Sequence, residues 1–307
     1  MKYAFSIAAL AAIATANPVI TRRQAEAAIT DVGILNYALT LEHLEDKFYR
    51  EGLANYTQED FVKAGFADPF YEDLKEISYD ETTHVSFLSK ALADAAVAEC
   101  TYAFPSTDPA SFVALASVLE GVGVSAYLGA AASIMNKDYL TAAGSILTVE
   151  ARHSAYVRAS SKASPFPQPF DAPLNFDEVY TLAAGFIVSC PETNAAKPQL
   201  PLKAFPALAL GTTGPIKSGD DIELLTPGYN LLAKDGSSPI YAAFVSVTGP
   251  IYTDVMAIEG GFKVKVPTGI NGQSYVVLTG CDDKVTDDTV AAGPAIVEIT
   301  NPYPSTA

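Results

Sequence analysis

Glu42-His43-Leu44-Glu45-Asp46-Lys47-Phe48-Tyr49 sets a tyrosine seven residues after a glutamate, and Glu120-Gly121-Val122-Gly123-Val124-Ser125-Ala126-Tyr127 does so again. Each stretch is followed by a Glu-x-x-His: Glu81-Thr82-Thr83-His84 after the first, Glu150-Ala151-Arg152-His153 after the second. Residues seven apart return to nearly the same helix face, and residues three apart are neighbours on one face. Glu42 therefore shares a face with Tyr49, Glu120 shares one with Tyr127, and each Glu-x-x-His can grip one ion. Two helices giving one Glu each and two giving a Glu-x-x-His each make the frame of a dinuclear metal site in a four-helix bundle. Four carboxylates and two imidazoles facing one core would be very costly unpaired, and two divalent cations would balance the carboxylates. The chain has only three histidines, and two of them stand in this frame. A lone Glu-x-x-His is usually a polar pair on a solvated face; the doubled frame on four apolar segments is hard to read that way.

Two neighbours complicate the assignment. Glu45 is one turn from Glu42 and could be the ligand itself or an acid behind it. Glu42 is preferred because it alone reproduces the Glu-to-Tyr spacing of Glu120 and Tyr127. His43 points roughly 100° away from Glu42 around the helix and is expected to be exposed.

Apolar periodicity predicts helices over 29–53, 69–97, 109–135, 138–162 and, shorter, 175–188. Asp108-Pro109 reads as an N-cap followed by proline at the first helical position, and Asn175 as the cap of the fifth helix. Gly121, Gly123 and Gly129 allow close approach to the third helix. The proline-rich run 164–174 reads as a connector. After Cys190 the character changes. Pro191, Pro198, Pro201 and Pro206 mark an extended linker. Short alternating runs follow at 222–225, 240–247, 255–258, 262–266, 274–278 and 295–299, with turn signals such as Asp235-Gly236, Gly260-Gly261 and Asn271-Gly272. They predict a small β-sandwich, Ig-like in character. The expected division is a signal peptide over 1–16 with a propeptide to 23, a helical bundle over 24–190, a linker over 191–205 and the sandwich over 206–307.

The chain of 307 residues carries a formal net charge of −16, which argues against nucleic-acid binding and against adhesion to anionic membranes. Lys2, the apolar run 5–16 and Ala14-Thr15-Ala16 fit a cleaved secretion signal, and Arg22-Arg23 a dibasic processing site. No later stretch reads as a membrane span. Export favours a disulfide, and three cysteines leave one over. Cys100–Cys190 is the preferred pair because both flank the helical region, leaving Cys281 as a buried free thiol or an intermolecular partner. Asn55-Tyr56-Thr57 is a glycosylation sequon in an expected surface loop.

Several segments carry a resemblance. They are Leu39-Thr40-Leu41-Glu42-His43-Leu44-Glu45, the run Leu119 to Tyr127, Ile146-Leu147-Thr148-Val149-Glu150-Ala151-Arg152-His153, Pro165-Phe166-Pro167 and Val188-Ser189-Cys190-Pro191. Over roughly residues 28–210 the chain resembles secreted fungal ferritin-like proteins of the stress-response and sexual-development type, with plant desiccation-related proteins as more distant relatives. The resemblance puts Glu42, Glu81, His84, Glu120, Glu150 and His153 on metal-ligand positions. Glu81 and Glu150 would bridge two ions, Glu42 with His84 would cap one, and Glu120 with His153 the other. Asp80 resembles the carboxylate that orients a ligand histidine, and Val149 occupies the equivalent place in the second half. Tyr49 and Tyr127 would bond to ligand carboxylates across the bundle. Hard oxygen donors with two imidazoles suit two iron or manganese ions. The implied activity is that of a di-metal oxidoreductase: an oxidase, a ferroxidase or a catalase-like enzyme. The alternative is a non-catalytic extracellular or cell-wall stress-protective protein with a structural or vestigial metal site. A third reading is a binding module using the β-rich part for wall contact or self-association.

Overall fold

The computed structural model describes residues 29–229, 231 and 240–301. The signal-peptide, propeptide and Asp235-Gly236 readings lie outside them. The helices are α1 (Asp31–Asn55), α2 (Gln58–Lys63), α3 (Phe70–Leu92), α4 (Pro109–Ala130), α5 (Lys137–Ser160) and α6 (Phe176–Ala184). The strands are β1 (Thr101–Tyr102), β2 (Ile187–Ser189), β3 (Ala209–Leu210), β4 (Asp221–Leu225), β5 (Tyr241–Phe244), β6 (Ile251–Ile258), β7 (Gly261–Lys265), β8 (Gly272–Thr279) and β9 (Val290–Ile299).

α4 and α6 start where the caps predict. Asp108 accepts from Ser111 N at 2.8 Å while its own N–H donates to Ser111 Oγ at 3.1 Å, and Asn175 makes the same reciprocal pair with Glu178. Short α2 was not expected. Thr57, the third residue of the sequon, caps it and engages Asp60, so polar residues that read as a loop fold into one helical turn and a half.

α1 packs mainly on α3, and α4 on α5. The two halves of the sequence repeat thus become two helix pairs, each holding one Glu-to-Tyr helix and one Glu-x-x-His helix. Phe48 and Phe112 stack with ring centroids 4.4 Å apart where α1 meets α4. Burying Phe112 completely stabilises by about 2–3 kcal/mol. The segment Pro109–Ser133 is long and apolar enough to cross a membrane by length and composition alone, but most of that window is buried inside the fold. It is the central helix of the bundle, and its apolar residues face the other helices and the β unit.

The three glycines of α4 each meet a different neighbour. A Cβ on Gly121 would lie 2.6 Å from the Gln273 amide, one on Gly123 3.0 Å from Glu45 Oε1, and one on Gly129 1.8 Å from the Leu174 carbonyl oxygen. The last obstacle is backbone and cannot rotate away. Gly129→Ala is expected to destabilise by about 1–3 kcal/mol, read as a lowered Tm with far-UV circular dichroism retained.

Cys100 and Cys190 are bonded, their Cα atoms 4.2 Å apart, beside the β1–β2 pairing of Thr101 with Ser189. The bond closes a loop of sequence separation 90, which stabilises by about 4 kcal/mol through the unfolded chain. Cys281 is free and half-buried, its Sγ 2.6 Å from Asp283 Oδ1, so the expected buried thiol is not found.

The strands after the linker do not split into two facing sheets. They form one antiparallel sheet in the order β3-β4-β7-β6-β5-β8-β9. β3 approaches β9, and Ile216 bridges to Ile299, so the sheet rolls until it nearly closes. The Ig-like sandwich expected from the strand count is therefore corrected to a rolled, nearly barrel-shaped sheet. Its interior is Ile222, Leu224, Phe244, Val264, Leu278 and their neighbours. This unit is docked on α4 and α5. Buried Tyr275 donates to Gly121 O at 2.9 Å and accepts from Ser125 Oγ at 3.0 Å. Arg158, itself buried, holds Glu298 at 2.7 and 3.1 Å and Ser164 O at 2.8 Å.

Candidate metal centre

The repeat converges. Glu42, Glu81, Glu120 and Glu150 have no exposed surface, and His84 and His153 are buried beside them. They form two overlapping groups, Glu42, Glu81, His84, Glu150 and Glu81, Glu120, Glu150, His153, each with its ligand atoms within 4.8 Å of one another. Glu81 and Glu150 belong to both. Helix pitch explains this: each Glu-x-x-His puts its Glu toward the bundle axis and its His one turn along, beside the glutamate of the neighbouring helix.

The contacts are close yet poorly satisfied. His84 Nδ1 lies 3.2 Å from Glu42 Oε2, 3.3 Å from Glu81 Oε2 and 3.2 Å from Glu150 Oε1. One imidazole nitrogen cannot serve three carboxylates. His153 Nδ1 is 3.0 Å from Glu81 Oε1 and 3.5 Å from Glu120 Oε2, but neither approach lies along a hydrogen-bonding direction. Glu81 Oε1, Glu120 Oε2, both Glu150 oxygens and His153 Nδ1 are thus buried without a hydrogen-bond partner. Their atoms crowd into one shared region of the core. Orphaned buried donors of this kind are costly unless a cation collects them. The residues present therefore fit metal ions.

Two tyrosines cross between the halves. Tyr49 of α1 donates to Glu120 of α4, and Tyr127 of α4 donates to Glu42 of α1. Burial and the neighbouring carboxylates raise both phenols well above their ordinary range, so they stay protonated and remain donors. Beyond His153, Asp80 Oδ2 lies 3.2 Å from Nε2 and fixes the ring with Nδ1 inward. In the second half Val149 holds the sequence position that Asp80 holds in the first, and it offers no acceptor. Asp80→Ala is expected to weaken any metal binding at the His153 group about 10–100-fold, measured by metal titration of metal-free protein.

The charge state without cations is strained. Burial raises Glu81, the two histidines lower it, and the nearby carboxylates raise it again, giving about 7. Burial and the surrounding carboxylates hold Glu150 and Glu45 well above the usual carboxylate range. Burial pulls His153 down, but Glu120 and Glu81 outweigh it and push it up to about 11. His84 is raised still further by Glu150, Glu42 and Glu81 against its burial. The cluster thus gathers protons where it has no other positive charge.

Glu45 is buried next to the cluster but joins neither group. Its carboxylate and that of Glu150 both reach the edge of α4 that Gly123 leaves open. His43 is corrected: it is buried, with Nε2 3.3 Å from Val97 O, and burial lowers its pKa. The segment between α3 and β1 folds over that face of α1. Asn36 holds it there through bonds to Ala95 O, Pro198 O and Val97 N, a tie that no local pattern signalled. Asn55, the sequon asparagine, is exposed at the end of α1.

Residues 30–163, which contain the whole cluster, match the family model of the ferritin-like domain. The chain is also similar to Protein rds1 of Schizosaccharomyces pombe, at 27% identity over 183 residues, 59% of this chain and 44% of that protein. It therefore spans under half the length of that curated relative.

Proposed function

We propose that the cluster is a dinuclear metal centre, holding two iron or manganese ions, of an exported oxidoreductase. The carrying observation is the pair of overlapping donor groups that share Glu81 and Glu150 and leave buried donor atoms unpartnered. Glu81 and Glu150 would hold both ions, Glu42 with His84 the first, and Glu120 with His153 the second. Glu45 stands behind the ligands. Oxygen-rich donors with two imidazoles favour iron or manganese. Such ions would supply exchange between divalent and trivalent states and the handling of dioxygen or peroxide. Tyr49 and Tyr127 hold the terminal glutamates in place and keep a proton at each phenol oxygen. The surrounding apolar core excludes bulk water.

The Cys100–Cys190 bond supports export, since such bonds persist outside reducing compartments. A cleaved leader over 1–16, processing at Arg22-Arg23, a glycan on Asn55, the expected domain division, a stress-response role, and wall contact or self-association through the β unit belong to the same reading. The second reading is a non-catalytic extracellular or wall protein with the ions as a staple, favoured by the complete burial of all four glutamates. Protein purified from its native host separates the two. Bound iron or manganese with consumption of peroxide or dioxygen supports the enzyme. Zinc, or iron that consumes neither, supports the staple.

A further inference from the structure

Beside the cluster lies a chamber of about 160 Å³, walled by α1, α4, the α6 segment and β9. Leu44 and Val122 line it from the bundle, Ala183 and Phe186 from the α6 side, and Ile296 from the β unit. The β unit therefore completes a cavity that the helices alone leave open. Among the described residues, Glu45 is its one ionisable lining group. That side chain is 4% exposed and makes no hydrogen bond to any described residue. Its carboxylate is also the group that approaches Glu150 at Gly123. A carboxyl group without a protein hydrogen-bond partner, facing an otherwise apolar space, is costly unless something polar enters that space.

We infer that the chamber binds a small, mostly apolar organic molecule of about one aromatic ring, whose single polar group pairs with Glu45. The size follows from the volume: an apolar cavity of about 150 Å³ accepts benzene. The polar group follows from Glu45, and its direction is set by the wall on which Glu45 stands. A molecule so held has its polar end toward the candidate metal centre and its apolar body toward Phe186 and Ile296. Its role as that centre's substrate rests on the proposed function; its binding does not.

Phenol, benzene and 2-naphthol, titrated calorimetrically into the full chain with and without metal, test this. Phenol should bind both forms, about tenfold more tightly than benzene, the gain of one buried hydrogen bond. Naphthol should not bind. Ala183→Leu should abolish phenol binding while metal content and Tm hold; if that variant does not fold, Ile296→Phe fills the chamber from the other side. Glu45→Gln should keep benzene binding unchanged. A crystal soaked in phenol should show its hydroxyl within hydrogen-bonding distance of Glu45. No phenol binding at millimolar concentration, or binding untouched by the filling variant, overturns the inference even if the centre takes up metal. Phenol binding in a chain that takes up no metal leaves the chamber standing and removes only the proposed function.

Discussion

Glu81→Ala is expected to empty the whole centre, whereas Glu42→Ala is expected to leave one ion in place. Glu81 and Glu150 each belong to both donor groups, so removing either takes a ligand from both ions. Even a residue that only orients a ligand costs 10–100-fold in metal affinity, so losing a shared ligand should cost more than about 100-fold at both positions. Glu42 belongs to the group of His84 alone, and its loss should weaken that position first. Metal content per chain, measured after dialysis against a weak chelator, reads the difference. Melting with chelator present controls for misfolding. Stripped of metal, Glu81→Ala should be no less stable than stripped wild type, because it has one buried carboxylate fewer to protonate. Full metal retention in Glu81→Ala would show that the shared glutamates do not hold the ions.

Chelation should destabilise the protein, and more strongly at pH 8 than at pH 5. In the metal-free cluster Glu81 is raised from 4.5 to about 7. A raised folded value stabilises the fold fully below the unfolded value and loses that contribution as pH climbs through the folded one. The metal-free protein should therefore lose on the order of 3 kcal/mol between about pH 4.5 and 7 from this group. His153, raised from 6.5 to about 11, acts in the same direction, its loss beginning at about pH 6.5 and continuing into the alkaline range. In the loaded protein cations replace those protons, so its stability should vary much less over the same window, and metal uptake should release protons. The gap in Tm between loaded and chelated protein, followed from pH 5 to 8, should widen steadily. A constant gap would mean that the carboxylates do not take up the charge that the metal leaves behind.

The site was legible because its signals are local. A seven-residue and a three-residue spacing fix faces of a helix whatever the rest of the chain does, so Glu42, Tyr49, Glu81 and His84 could be placed before their partners were known. The glycines of α4 were legible for a related reason: glycine inside a helix asks for a close neighbour, and Gly121, Gly123 and Gly129 each have one. The burial of His43 was not, because its cover comes from the segment around Val97, held by Asn36. Strand positions were readable from alternation, but sheet closure was not. Pairing of β4 with β7 and approach of β3 to β9 depend on residues far apart in sequence. Nor could sequence show the chamber at Glu45, which exists only where α6 and β9 close over α1 and α4.

Anomalous diffraction from crystals of native-host protein, collected at the iron and manganese edges, tests the dinuclear centre most directly. Two peaks are expected between Glu81 and Glu150, about 3.5–4 Å apart, one beside Glu42 and His84 and the other beside Glu120 and His153. A map without peaks there, in which His84 and His153 simply donate to the glutamates, would contradict the metal centre.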